Sequence, residues 1–404
     1  MLNWSKQFSI LVFLDSNNYS DKHGRYECMM AAGVKRVVSG FDEMQQLHAK
    51  QPDWLFGHIA YDYKNTLEPK LSSAHEDKLG FSQFYFFVPD VVLHINSAKT
   101  ELTIECFDDP AQIHEALLAS SDVPEQDVPK LTFTRTVSQN EYLQTIDALR
   151  KHIADGDCYE INYCCEGYSK GVDIQPLSVY NALNALSPAP FSTYYRNGAQ
   201  YMMCASPERY VCKRDTTILS QPIKGTARRD ADAATDERIK NELLHSIKDR
   251  AENVMIVDLV RNDLARSCEV GSIQVDELFG IYTFPQVHQM VSTVSGKLKT
   301  DAQFTDALHY SFPMGSMTGA PKVKVMELIE RYEQSRRGLF SGTIGYISPD
   351  GDFDFNVIIR SLFYNSDKQY LSYQTGGAIT YDSNPQQEWE EMRLKAWALE
   401  RVFS

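Results

Sequence analysis

The chain contains no apolar run long enough to cross a membrane and no cysteine pair at metal-ligand spacing. The run Phe8–Leu14 ends at Asp15, and Phe84–Ile95 is broken by Pro89 and Asp90, whereas a helical span takes about 18 apolar residues in succession. No small-residue cleavage site follows Phe8–Leu14, so a signal peptide is not expected. The eight cysteines, at positions 28, 106, 158, 164, 165, 204, 212 and 268, make no Cys-x-x-Cys. Neither a zinc finger nor a disulfide framework is expected, and irregular cysteines in a long chain suit a reducing cytoplasm. Basic residues are also scarce: 40 Lys and Arg face 54 Asp and Glu, for a net charge of −14. Nucleic acid and anionic membrane surfaces are polyanions that need basic patches, so neither is an expected partner. There is no Walker loop, no dinucleotide fingerprint and no Gly-x-Ser-x-Gly elbow, and His288 and His309 stand alone rather than in an array.

What remains is ordinary globular composition, 43% hydrophobic and 23% charged over 404 residues, enough for two or three domains or one large one. Strand-like runs occur at Phe8–Leu14, Leu55–Tyr61, Phe84–Val88, Val91–Ile95 and Leu102–Phe107. The polar stretch Ser120–Lys130, with two prolines, is the candidate linker. It divides an N-terminal region, 1–130, from a second region, 131–404. Ser138 and Glu141 form a capping box for a helix with Leu143, Ile146, Leu149 and Ile153 on one face and Gly156 at its end. Further strands are expected at Tyr159–Tyr168, Phe191–Tyr195, Tyr201–Cys204, Tyr210–Lys213, Ile273–Phe279 and Val287–Val294. Helices are expected over Pro176–Ser187, Asp236–Arg266, from Pro321 to about Glu333, and over Pro385–Phe403. Two strands should flank the Ser348–Asp352 turn. Strands and helices alternate without a βαβ beat, which predicts α+β with large antiparallel sheets.

Four segments carry possible chemistry. On the last helix, Glu388, Glu391 and Lys395 fall at i, i+3 and i+7, beside the apolar stripe of Trp389, Met392, Ala396, Leu399 and Phe403. Two carboxylates held there could bind a hard divalent ion, or form a solvated face with a Glu391–Lys395 pair. Lys224 lies in Pro-Ile-Lys-Gly-Thr; it is an activated amine if desolvation or a nearby cation lowers its pKa, and otherwise a surface lysine beside a turn. The segment 312–322 runs through Gly, Ser and Thr into a helix start, an anion-binding arrangement or a capped turn. Gly376-Gly377 permits close backbone approach, or a bend.

Taken together and in order, these segments resemble a known family. Ala205-Ser-Pro-Glu208, Pro222–Thr226, Glu252–Asp263, Gly315–Lys322, Gly345-Tyr346, Ile359-Arg360, Gly376-Gly377 and Glu388–Glu391 with Lys395 are similar to the chorismate-utilising enzymes. That family includes anthranilate, aminodeoxychorismate, isochorismate and salicylate synthases. The resemblance covers about residues 135–404 and is weaker before them. It implies an α+β sandwich of antiparallel sheets flanked by helices, with the N-terminal region packed into it, and a Mg²⁺-dependent site. By position, Glu252 and Glu391 correspond to Mg²⁺ carboxylates, with Glu388 in support, around the ring carboxylate of chorismate. Arg360 and Tyr346 correspond to the clamp on the enolpyruvyl carboxylate. Gly225, Thr226, Gly376 and Gly377 would line the ring, Lys395 would add a cation, and Glu208 would protonate the departing hydroxyl.

Lys224 resembles the aminodeoxychorismate synthase component I branch, where anthranilate synthases have Ala. The resemblance implies attack of this amine at C2, then addition of ammonia at C4 with expulsion of the lysine, to give 4-amino-4-deoxychorismate for 4-aminobenzoate and folate. Ammonia would come free or from a glutamine amidotransferase subunit encoded elsewhere. Isochorismate and salicylate synthases carry a base lysine where Glu160 stands. The alternatives are one of those activities, anthranilate synthesis, or chorismate binding without turnover. Three positions depart from the family pattern. Gln289 takes the place of the usual histidine, with His288 one residue earlier on the opposite strand face. Ala378 and Met314 replace glycines, and no tryptophan-feedback motif of Leu-Leu-Glu-Ser type is evident near the N-terminus.

Overall fold

The computed structural model describes residues 1–120, 127–285 and 287–404; within the candidate linker, positions 121–126 lie outside the described residues. Two antiparallel sheets face each other. The larger, of eleven strands, runs in space as 319–320, 160–170, 370–379, 361–365, 200–206, 191–197, 10–15, 26–32, 91–96 and 102–106, with Thr134–Arg135 also pairing on Glu160–Lys170. The smaller, of ten, runs as 223–228, 287–297, 217–221, 209–214, 353–356, 343–347, 55–59, 84–88 and 36–38, with Gln274–Thr283 also on Val287–Lys297. Strands from the first 106 residues pair directly with later ones in both sheets, Ile10–Asp15 on Phe191–Asn197 and Leu55–Ile59 on Thr343–Ile347.

The strands of the larger sheet read as unbroken apolar runs because both faces are covered. Val12, Met29, Ala31, Tyr195, Met202 and Phe363 point into the core between the sheets. Their immediate neighbours Leu11, Phe13, Met30, Tyr194, Met203 and Leu362 point outward, against Val179, Leu183, Leu399 and Phe403 of the helices Pro176–Leu186 and Pro385–Arg401 and the residues beyond the latter. The helix Gln139–Ala154 has the expected capping box at Ser138 and Glu141, and its Tyr142, Ile146 and Leu149 pack with Trp389 and Met392. Serine 246 splits the charged segment 233–265 into two helices, Ala233–His245 and Ile247–Ala265: it closes the first and its side chain caps the second. Proline 321 is the N-cap of Lys322–Tyr332 rather than a residue of its first turn. Gly376 and Gly377 lie inside the strand Tyr370–Ile379.

Behind the loop Gly315–Met317, the fully buried pair Glu333–Arg337 joins three segments. Glu333 accepts from the Cys164 amide at 2.9 Å and from Arg337 Nη2 at 2.7 Å. The same guanidinium donates to the carbonyls of Met317 at 2.8 Å and Asn162 at 3.0 Å. Removing one partner leaves the other buried and uncompensated, which costs about 3–5 kcal/mol. Glu333→Ala is therefore expected to lose that amount in urea unfolding, and Glu333→Gln, which keeps acceptor and shape, to lose less.

Candidate active site

A cleft of about 1050 Å³ opens where the first strands of the two sheets meet. It is lined by Glu208, Lys224, Gly225, Thr226, Glu252, Gln289, Arg360, Gly376, Glu388, Glu391 and Lys395. Gly377 adjoins it: a Cβ built there would lie 3.3 Å from Glu388 Oε2 and 3.8 Å from Lys395 Nζ. Twelve residues selected from sequence therefore come together. Tyr346 does not. Its strand Thr343–Ile347 sits in the middle of the smaller sheet, its ring packs on Phe56, Trp54 and Tyr26, and it borders a separate cavity of about 430 Å³ near Arg25 and Asp354. The aromatic residues lining the cleft are instead Phe340, six positions earlier, and Trp397.

Two of the clustered residues stand where the chain passes from one sheet to the other. Glu208 lies between Gln200–Ser206 of the larger sheet and Arg209–Arg214 of the smaller. Arg360 lies between Phe353–Asn356 of the smaller and Ser361–Asn365 of the larger, with φ at +52°. The two corners are laced together, Val357 N–H donating to Glu208 O at 3.0 Å and Ala205 N–H to Arg360 O at 3.1 Å. A non-glycine residue held at positive φ is strained, and such residues persist where the surrounding structure over-determines them. Among the described residues the Arg360 guanidinium has no ion pair or hydrogen bond, so its donors are open to the cleft.

Lys224 reaches the cleft through a bulge. Ile223 pairs with Val291 and Thr226 with Gln289, leaving Lys224 and Gly225 opposite one residue, and Gly225 takes φ +93°. Its ammonium then meets Glu160 Oε1 at 2.6 Å, across from the larger sheet. Burial by itself would lower the lysine's pKa; Glu160, with help from Glu252 and Glu208, outweighs it and raises the value. Neither alternative read from the sequence holds: Lys224 is not a surface lysine and its pKa is not lowered, because it is a buried cation paired with Glu160. Glu160 Oε2 and Gln289 Oε1 are buried without hydrogen-bond partners among the described residues. His288, one residue from Gln289, faces away and bonds Asp236 at 3.0 Å and Thr283 at 3.0 Å, as strand alternation requires.

The carboxylates divide by environment. Glu208 is pushed up to about 7 by burial, against which the Ser316 hydroxyl and Lys224 act. Burial also pushes Glu252 up to about 7, opposed by Lys224 and Lys248. Glu388 is raised by burial and by neighbouring Glu391. Lys395 holds Glu391 below the usual range from 2.7 Å while donating to Gly376 O at 2.9 Å. Glu252, Glu388 and Glu391 could hold a divalent cation. Among the described residues no group of three or more Asp, Glu, His or Cys side chains is placed to hold a metal ion by itself, so a Mg²⁺ ion there would take one or two of these carboxylates and complete its shell with waters and ligand oxygens. A cation already stands there: the Lys248 ammonium lies 3.8 Å from both Glu252 and Glu388.

Sequence reasoning had marked Glu160 only as a position that differs from other synthases, and had not selected Lys248 or Phe340. Lys248 was detectable as the i−4 neighbour of Glu252 on a helix. Phe340 carries no such local signal. Gly315, read as part of an anion loop, is small for packing, since a Cβ there would lie 2.4 Å from Leu259 Cδ2. Gly376 is confined by the opposite strand, where a Cβ would meet Tyr163 O at 2.0 Å.

A sandwich with an acid, a lysine–glutamate pair and an open guanidinium at one edge defines a class of enzyme acting on a small anion. Residues 11–401 match the chorismate binding enzyme family, and the chain belongs to it. Aminodeoxychorismate synthase component 1 of Bacillus subtilis is 31% identical over 361 residues, 86% of this chain and 76% of that protein. Aminodeoxychorismate synthase of Streptomyces griseus is 41% identical over 264 residues, 65% of this chain and 36% of that longer protein. Anthranilate synthase component I from Streptococcus pneumoniae has the same fold, with a TM-score of 0.83 at 24% identity over 95% of this chain and 94% of its own.

The raised Glu208 has a consequence for stability. Its folded value near 7 lies above the ordinary 4.5, so the folded state holds a proton that the unfolded chain has released. The contribution is full below pH 4.5 and is lost as pH rises through 7. Between pH 5 and 8 the wild type should lose on the order of 3 kcal/mol more in unfolding free energy than Glu208→Gln, measured by urea titration at each pH.

Proposed function

We infer that this protein is an aminodeoxychorismate synthase component I, converting chorismate and ammonia to 4-amino-4-deoxychorismate and water. The observation that carries this reading is the buried Lys224–Glu160 pair at 2.6 Å, set beside a carboxyl that still holds its proton near neutral pH. The family membership and the similarity to aminodeoxychorismate synthases support it.

The open guanidinium of Arg360 binds a substrate carboxylate with two parallel N–H donors. Lys395 and the backbone at Gly376 and Gly377 hold the ring close to the strand, where no side chain intervenes. Mg²⁺ on Glu252, Glu388 and Glu391 would supply charge neutralisation for the second carboxylate. Lys224 gives a proton to Glu160, and the free amine attacks C2. The ring double bond shifts, the C4–O bond breaks, and the hydroxyl leaves as water with the proton of Glu208. Ammonia then forms a bond to C4, the double bond shifts back, and the C2–N bond breaks, with the electron pair returning to Lys224. Gln289 accepts or donates a hydrogen bond at the rim without adding charge. Ammonia from glutamine implies an amidotransferase partner, and the setting is cytoplasmic.

Product chromatography after incubation with chorismate, Mg²⁺ and ammonia should show 4-amino-4-deoxychorismate. Anthranilate or isochorismate as the product overturns the reading, as does full activity in Lys224→Ala. Glu208 acts as an acid, so kcat should fall as pH rises above about 7. Glu208→Gln should lower kcat by about 10²–10⁴-fold and abolish that alkaline limb.

A further inference from the structure

Lys248 sits in the first turn of Ile247–Ala265, four residues before Glu252. Its ammonium stands 3.8 Å from Glu252 Oε1 on its own helix and 3.8 Å from Glu388 Oε1 on the C-terminal helix Pro385–Arg401. Glu388 is buried and Glu252 half-buried, whereas the lysine side chain is 55% exposed. Two carboxylates from different helices are therefore brought together across one flexible, solvent-facing cation. A long, exposed lysine stem can swing out without disturbing any packed neighbour. No other cation is bonded to both carboxylates among the described residues.

We propose that Lys248 is an internal counter-ion for the metal carboxylates: it occupies the cation position between Glu252 and Glu388 in the metal-free protein and is displaced when Mg²⁺ binds. The inference rests on the reading of Glu252 and Glu388 as metal carboxylates and adds a function for the lysine that sequence spacing alone treats as a surface pair. Two carboxylates at the edge of a low-dielectric cleft repel each other when nothing stands between them. The tethered ammonium removes that repulsion at no cost in association entropy, which keeps the metal-free cleft shaped for substrate. In exchange it competes with the metal, so that Mg²⁺ affinity is set below what the carboxylates alone would give. Lys248 is thus a positioning residue and makes no contact with the reacting atoms.

The test is direct Mg²⁺ titration of the full chain by calorimetry, without chorismate, for wild type, Lys248→Met and Lys248→Arg. Mn²⁺ followed by its electron spin resonance signal serves as the second probe. Lys248→Met should bind either ion about three- to tenfold more tightly, the worth of two partly exposed ion pairs, and Lys248→Arg should match wild type. The metal-free Lys248→Met protein should melt at a lower temperature than wild type, and the difference should disappear at saturating Mg²⁺. Unchanged or weaker affinity in Lys248→Met overturns the counter-ion role while leaving the metal carboxylates in place. Failure of wild type to bind either ion overturns both.

Discussion

Everything in this cleft depends on holding opposite charges out of water across the gap between two sheets. Lys224 comes from an edge strand of one sheet and Glu160 from a strand of the other, and their 2.6 Å contact is the charged link between them at the site. A buried lysine without a partner gives up its proton, and a buried glutamate without one takes a proton up. Paired with Glu160, Lys224 stays a cation, its ammonium in direct contact with a carboxyl oxygen. The same low-dielectric surroundings that make this pair necessary raise Glu208 and so supply a neutral acid. Burial therefore acts on the two groups differently: it raises Glu208 toward its neutral form, while at Lys224 it is outweighed by the neighbouring carboxylates.

The fold places these groups with few loop residues. Glu208 and Arg360 stand at crossings between sheets, and Lys224 stands at a bulge. The carboxylates Glu252, Glu388 and Glu391 ride on long helices capped by Ser246 and Asn384. Rigid elements therefore position most of the charged groups of the cleft, where lysines and arginines are interleaved with carboxylates.

Much of this was legible in the chain. The capping box at Ser138, the 3.5-residue rhythm of the last helix and the turn at Ser348–Asp352 are local signals, and each element formed within a few residues of its expected ends. The Lys224, Glu208, Glu252 and Glu391 cluster was readable only because several motifs occur in one order, since each alone is as well explained by a surface pair or a turn. Tyr346 failed for a physical reason: sequence proximity to Gly345 says nothing about which sheet face the residue takes, and in this sheet its ring belongs to the core. For Lys224 the local sequence left an activated amine and a surface lysine both open, and the partner that decides its state, Glu160, lies 64 positions away in the chain. The strands Tyr26–Ala32 and Ile223–Arg228 and the helices Phe41–Lys50 and Pro110–Ala119 were not anticipated, because short segments acquire their conformation from the sheet or core they join.

The two corners that carry Glu208 and Arg360 are each covalently continuous with both sheets and are bonded to one another through Val357 and Ala205. Because each corner is bonded into both layers, sliding of one sheet over the other strains the two corners together.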